Sequence, residues 1–240
     1  MIPWSLIDTA HVPGGGELRL MRRGAEFSIR LGRDELMNSR RSGSEAALAT
    51  LACERIQARK RPQILIGGLG MGFTLRAALA VLGAQARITV AELIPAVLAW
   101  ARGPMAEVFG ESLTDRRVSI READVAQLIR NGPSSFDAIV LDVDNGPAGL
   151  TREANDRLYN REGLSAAHAA LRPGSVLAVW SSGPDLKFTQ RLRQAGFDVD
   201  EMRVRANGAR GGARHVIWIA TRVERGRQRN PSSSRSQHRD

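Results

Sequence analysis

Apolar and polar residues alternate along Glu17-Leu18-Arg19-Leu20-Met21 and again along Glu26-Phe27-Ser28-Ile29-Arg30-Leu31, with Arg23-Gly24 between the two runs. A period of two puts successive side chains on opposite faces of a strand, so this pattern predicts a β-hairpin with one buried face. Between Ser44 and Arg59 the apolar residues Ala47, Leu48, Leu51, Ala52 and Ile56 fall at helical spacing, with Ser44 as the expected N-cap. From Pro62 onward, short apolar runs alternate with helical segments, the pattern of βαβ units and a mainly parallel sheet. Strands are expected at 63–66, 87–91, 118–121, 138–142, 175–181, 198–203 and 215–220, and helices at 73–82, 94–102, 124–129 and 161–171. Only Asn207 to Arg214 separates the last two strands, too little for a crossover helix, so they are expected to pair antiparallel. The prediction is an α/β fold: a seven-stranded, mainly parallel sheet with helices on both faces, preceded by a small N-terminal β-hairpin. Residues 1–60 supply the hairpin and lead-in helix, 61–222 the main domain, and 223–240 a tail rich in Arg and Ser.

Composition narrows the function classes. A chain of 240 residues with 42% apolar and 25% charged residues suffices for one substantial core. Its longest apolar stretches, such as Ala77 to Leu82, fall far short of the roughly 18 residues that cross a bilayer. The opening Met1-Ile2-Pro3-Trp4 lacks the basic, apolar and small-residue order of an export signal, so no membrane partner and a cytoplasmic location are expected. Cys53, the single cysteine, excludes an internal disulfide and is expected to be a small buried residue on a helix. His11, His168, His215 and His238 are scattered with no second ligand at metal spacing, so no metal site is expected. The net charge of +10 raises the question of nucleic acid, but the tail alone contributes +3, from five arginines against Glu224 and Asp240. With nothing apolar in Asn230 to Ser234, the tail is expected to be disordered and solubilising, and nucleic acid is the less favoured partner.

The chemistry-bearing residues cluster after the strands. Ile64-Leu65-Ile66-Gly67-Gly68-Leu69-Gly70-Met71-Gly72 runs from an apolar strand into a glycine-rich turn and then a helix, where Gly68, Gly70 and Gly72 allow close ligand approach. Glu92 follows the second strand, twenty residues after the last of these glycines, where an acidic side chain accepts from both hydroxyls of a ribose. The two features together indicate a Rossmann-like nucleoside site, and the absence of a Lys-Ser or Lys-Thr pair argues against a triphosphate. Asp124, after the third strand, can accept from an adenine amino group or cap the following helix. Asp142, Asp144 and Asn145 follow the fourth strand at the sheet edge where ligands bind, and Asp142 is the candidate base or electrostatic guide. Tyr159 is an acceptor-side candidate, with packing at a helix start as its alternative. Trp100 and Trp218 read as core residues, and Trp180, near the end of the fifth strand, as a residue at the border of the pocket.

The order of glycine-rich turn, Glu92, Asp124 and the Asp142 turn resembles the class I S-adenosylmethionine-dependent transferase fold. Phe136 to Ser181, with Leu158-Tyr159 and Leu171-Arg172-Pro173-Gly174-Ser175-Val176-Leu177, is similar to the spermidine synthase group, as is the N-terminal hairpin. The resemblance implies that the glycine turn cradles the methionine-derived part of an S-adenosyl nucleoside, Glu92 holds ribose, Asp124 contacts adenine, and Asp142 assists deprotonation of an amine. It implies a co-substrate, S-adenosylmethionine or its decarboxylated form, a small-molecule acceptor such as an amine, and a homodimer. Leu69 and Met71 stand in a turn where the family carries an aspartate, and Met37 to Arg41 and Ser44-Glu45 stand where it carries Tyr-His-Glu. The acceptor, and the choice between aminopropyl and methyl as the transferred group, therefore stay open. So do two alternatives, a noncatalytic nucleoside-binding regulator and an RNA-directed methyltransferase.

Overall fold

The computed structural model describes residues 2–12, 16–40, 42–143, 147, 157–208 and 211–223; the tail lies outside them but for Val223. The N-terminal segment forms a four-stranded antiparallel sheet in sequential order: β1 (Ser5–His11), β2 (Glu17–Arg23), β3 (Glu26–Leu31) and β4 (Asp34–Asn38). Its centre is the expected hairpin, β2 and β3 pairing from Leu18 opposite Leu31 to Arg23 opposite Glu26, and it buries Leu18, Leu20, Phe27 and Ile29. The flanking strands extend the hairpin into a sheet. β1 is exposed at nearly every position, so no alternation marked it, and β4 places Leu36 and Met37 side by side with a register shift in its pairing. The Trp100 indole N–H donates to Asp8 at 2.7 Å and ties β1 to the second layer of the molecule.

Helix α1 (Gly43–Arg55) begins and ends earlier than expected. Ser44 is not its N-cap: Ser42 occupies that position, and the Ser44 hydroxyl is committed to Glu45 and His215 instead. The helix buries Leu48, Ala49, Ala52 and Cys53, whose thiol burial pushes up to about 12.

The main sheet comprises β5 (Gln63–Gly67), β6 (Arg87–Glu92), β7 (Val118–Glu122), β8 (Phe136–Leu141), β9 (Leu171–Ser181), β10 (Phe197–Arg205) and β11 (Arg214–Arg222). Its spatial order is β10-β11-β9-β8-β5-β6-β7, parallel from β9 to β7, with β11 antiparallel to both β9 and β10. The chain leaves β5 toward β6 and β7, then returns to lay β8 on the other side of β5. That reversal opens a crevice at the carboxyl ends of β5 and β8, where open α/β sheets bind ligands.

Helices α2 (Phe73–Val81), α3 (Pro95–Arg102) and α4 (Ala106–Phe109) share one core cluster with α1. Helices α5 (Val125–Asn131), α6 (Arg161–Ala170) and α7 (Leu186–Gln194) pack on the opposite face. Successive strand residues divide between the faces, Ile64 and Ile66 to one and Leu65 to the other, and this double burial makes the strands read as continuous apolar runs. α7 was not legible, because only Phe188 and Leu192 are buried apolar residues on a basic helix. Asp185 caps it, accepting from the Phe188 N–H at 3.0 Å. Opposite the crevice, the buried Asp137 accepts from the Gln63 N–H (2.8 Å) and Arg172 (2.7 Å), joining the starts of β5, β8 and β9. The N-terminal sheet contributes Leu18, Leu20, Phe27 and Ile29 to the same cluster as β5, so the segment boundary at residue 60 does not divide the core. Among the described residues, no helix is long and apolar enough to cross a membrane.

Candidate functional site

Two cavities meet at the crevice. The first, about 120 Å³, is lined by Gly68, Gly70, Glu92, Asp124 and Asp142 from the main sheet and roofed by Leu18, Ile29, Leu36 and Met37 from the N-terminal sheet. The second, about 90 Å³, lies beside it and is lined by Glu45, Asp142, Asn38 and an apolar wall that includes Met37, Met71, Phe73 and Trp180. Leu36, Met37, Gly70 and Asp142 belong to both cavities, so a group held in one reaches the other at Asp142.

The glycine turn is shaped by its neighbours. Gly68 adopts φ +89°, and a Cβ there would stand 2.4 Å from the Asp142 carbonyl oxygen, which brings the turn close against the end of β8. Gly72, at φ +73°, would drive a Cβ into the Phe109 ring at 2.5 Å. Gly68 and Gly70 line the first cavity, but Gly72 lines neither; its place is under the turn against Phe109, a correction to its expected position on the floor of the site.

Glu92 ends β6, buried at 7% exposure. One carboxylate oxygen accepts the Leu69 N–H and the other the Ile94 N–H, each at 2.9 Å. The same side chain thus clasps the glycine turn while its residue lines the first cavity. Burial raises its pKa against those backbone hydrogen bonds. Asp124 caps α5, accepting from the Ala126 N–H at 2.7 Å, while its residue borders the first cavity. The capping reading holds, and the position at the cavity leaves room for the ligand reading as well.

Asp142 follows β8 and accepts a 2.5 Å hydrogen bond from the Thr74 hydroxyl. Burial, and next the charge of Glu45, push its carboxyl up to about 7, while Thr74 pulls the other way. Glu45 stands in the first turn of α1, takes a 2.7 Å hydrogen bond from the Ser44 hydroxyl, and is itself raised by burial. Sequence reasoning missed Thr74 and singled out Glu45 only with Ser44, as standing where the resembled family carries Tyr-His-Glu, not as a site residue. An acidic residue in a first helical turn has a sufficient local account in the helix dipole, so its position alone does not point it toward a pocket. Trp180 borders the second cavity, and Trp100 and Trp218 are core, in agreement with expectation. Tyr159 is buried edge-on against Phe188, ring centroids 5.6 Å apart, and lines neither cavity; helix-start packing is its observed role. Asp144 and Asn145 lie outside the described residues.

Four carboxylates, Glu45, Glu92, Asp124 and Asp142, thus line the paired cavities, and among the described residues lining them there is no Lys, Arg or His. The surrounding chain carries 35 Lys and Arg. The site is an acidic enclave in a basic protein.

No protein-family model matches the chain. A polyamine aminopropyltransferase of Mycobacterium tuberculosis is 29% identical over 150 residues, covering 59% of this chain and 28% of the relative. Polyamine aminopropyltransferase 2 of Pseudomonas aeruginosa is 30% identical over 123 residues, covering 50% of this chain and 33% of the relative. The match therefore spans a third or less of the length of these curated relatives. Among solved structures, the spermidine synthase of Thermotoga maritima superposes with a TM-score of 0.69 at 18% identity, covering 90% of this chain and 72% of that one. A spermidine synthase in complex with the transition-state analogue AdoDATO gives 0.72 at 18% identity, covering 90% and 73%. A probable spermidine synthase from Corynebacterium glutamicum gives 0.61 at 17%, covering 92% and 80%. In fold the chain is spermidine-synthase-like, a methyltransferase-like α/β sheet behind a small antiparallel one, and over half its length or more it resembles polyamine aminopropyltransferases in sequence.

Proposed function

We propose that the chain is a transferase that binds decarboxylated S-adenosylmethionine in the first cavity and passes its aminopropyl group to a small amine in the second. The observation that carries this reading is the acidic lining. An arriving ammonium or sulfonium loses much of its hydration in a pocket, and nearby carboxylates offset that loss. S-adenosylmethionine itself brings an α-carboxylate, which this lining would repel; the decarboxylated form brings only positive charge. The same acidity disfavours the phosphates of RNA.

In this reading Glu92 accepts from the ribose hydroxyls, Asp124 from the adenine amino group, and Gly68 and Gly70 admit the chain that carries the sulfonium. The amine nitrogen attacks the methylene beside the positive sulfur in line, the C–S bond breaks, and its electron pair leaves a neutral thioether. Asp142, at the junction of the cavities, accepts the proton of the incoming ammonium; a carboxyl near pH 7 is matched to that task. The rest of the rate enhancement is positioning and charge. The test is incubation with decarboxylated S-adenosylmethionine and a panel of mono- and diamines, followed by mass spectrometry. The expected result is an aminopropylated amine with an equal amount of methylthioadenosine. Methylated products from S-adenosylmethionine, with no aminopropyl transfer, would overturn the reading.

A further inference from the structure

A proton must leave this site on every turnover, a requirement that rests on the amine-transfer reading above. The acceptor arrives as an ammonium, loses one proton to become nucleophilic, and departs as a secondary ammonium once the new C–N bond has formed and the C–S bond has broken. One proton per cycle therefore remains on the carboxylates while both cavities are filled.

The structure offers a path for it. The Ser44 side chain is buried at 0% exposure, and its hydroxyl lies 2.7 Å from Glu45 Oε2 and 2.9 Å from His215 Nδ1. This contact joins α1 to β11, 171 residues away in sequence. The ring of His215 stands edge-on to Trp180, 4.8 Å between centroids, and Trp180 lines the second cavity. His215 is only partly buried, so its end of the chain of groups is within reach of solvent. We propose that Ser44 and His215 form a relay that carries a proton from the Glu45 carboxyl, which lines the acceptor cavity together with Asp142, out of that cavity.

A hydroxyl suits this position because it donates and accepts at once. With Glu45 ionised, Ser44 donates to the carboxylate and accepts from Nδ1–H. With Glu45 protonated, the acid donates to Ser44, which donates to an unprotonated Nδ1. Passing between these arrangements moves one proton from Glu45 to the imidazole, with nothing oxidised or reduced. The acidic group in contact with this chain is Glu45 from α1, which shares the lining of the second cavity with Asp142; the sheet partner of His215 on β10 is Val204, and the Trp180 ring packs edge-on against the imidazole. Ser44 and His215 line neither cavity, so they are positioning residues and not catalytic ones.

The test uses the full chain with His215→Ala and Ser44→Ala. In the transfer assay each is expected to lower kcat about tenfold or more, while the KM values stay within about twofold, and imidazole in the buffer is expected to restore His215→Ala. An unchanged kcat, or a loss that imidazole does not restore, overturns the relay while leaving the transfer reading intact. A second measurement needs no turnover: ¹⁵N-imidazole NMR of His215 in the wild type and in Glu45→Gln. A lower His215 pKa in the variant supports the connection, and an unchanged one overturns it. Absence of transfer by the wild type with every amine overturns the transfer reading, and with it the proton that the relay would carry.

Discussion

Asp142 is held where a carboxylate ionises reluctantly, and that has a cost in stability as well as a use in chemistry. Its pKa rises from the ordinary carboxylate range to about 7 on folding. The folded state therefore binds the extra proton between about pH 4 and pH 7, and its stability falls as pH rises through that window. Asp142→Asn is expected to be more stable than the wild type at pH 8 by about 4 kcal/mol, a gap that closes as pH falls to 4. Urea denaturation at the two pH values checks this. If Asp142 is the base proposed above, wild-type kcat/KM is expected to fall below about pH 7, and Asp142→Asn to lose about a hundredfold or more in kcat. Glu92, Asp124 and Asp142 were legible because each stands at or just past the end of a strand, at the carboxyl edge of a parallel sheet. Glu45, Thr74 and Ser44 were not, because each is locally an ordinary helix residue and only the packing of α1 against α2, β8 and β11 brings it to Asp142 or His215.

Elements, more than single residues, decide how the pocket is enclosed. The N-terminal sheet roofs the first cavity, and the Asp8 to Trp100 hydrogen bond fastens its outermost strand to α3, holding the Asp8 carboxyl below the usual range. Trp100→Phe removes the donor together with part of the indole's packing; it is expected to lower stability and to raise hydrogen exchange in β1 above that of β5, read by thermal unfolding and exchange. Asp137→Ala acts at the opposite end of the sheet. Leaving the Gln63 N–H without its acceptor and Arg172 without its counterion is expected to lower stability by about 2–3 kcal/mol, read by thermal unfolding, without changing nucleoside affinity. The parallel core was legible because continuous apolar runs mark strands buried on both faces. β1, β4 and α7 were not: exposed strands lose their alternation, and a helix resting on two apolar side chains has too little periodicity to register.

For the whole molecule, the informative contrast is between an overall charge of +10 and an acidic site. Net charge alone would favour polyanions, whereas an acidic lining favours cations at short range, so under the proposed function affinity for a cationic nucleoside should depend on specific carboxylates and little on the basic surface. Isothermal titration calorimetry of the full chain with decarboxylated S-adenosylmethionine and with S-adenosylmethionine tests this most directly, with Glu92→Ala as the companion variant. The account predicts tighter binding of the decarboxylated form, by about tenfold or more, and loss of most of that affinity in Glu92→Ala. Equal or tighter binding of S-adenosylmethionine, or no binding of either by the folded protein, would contradict it.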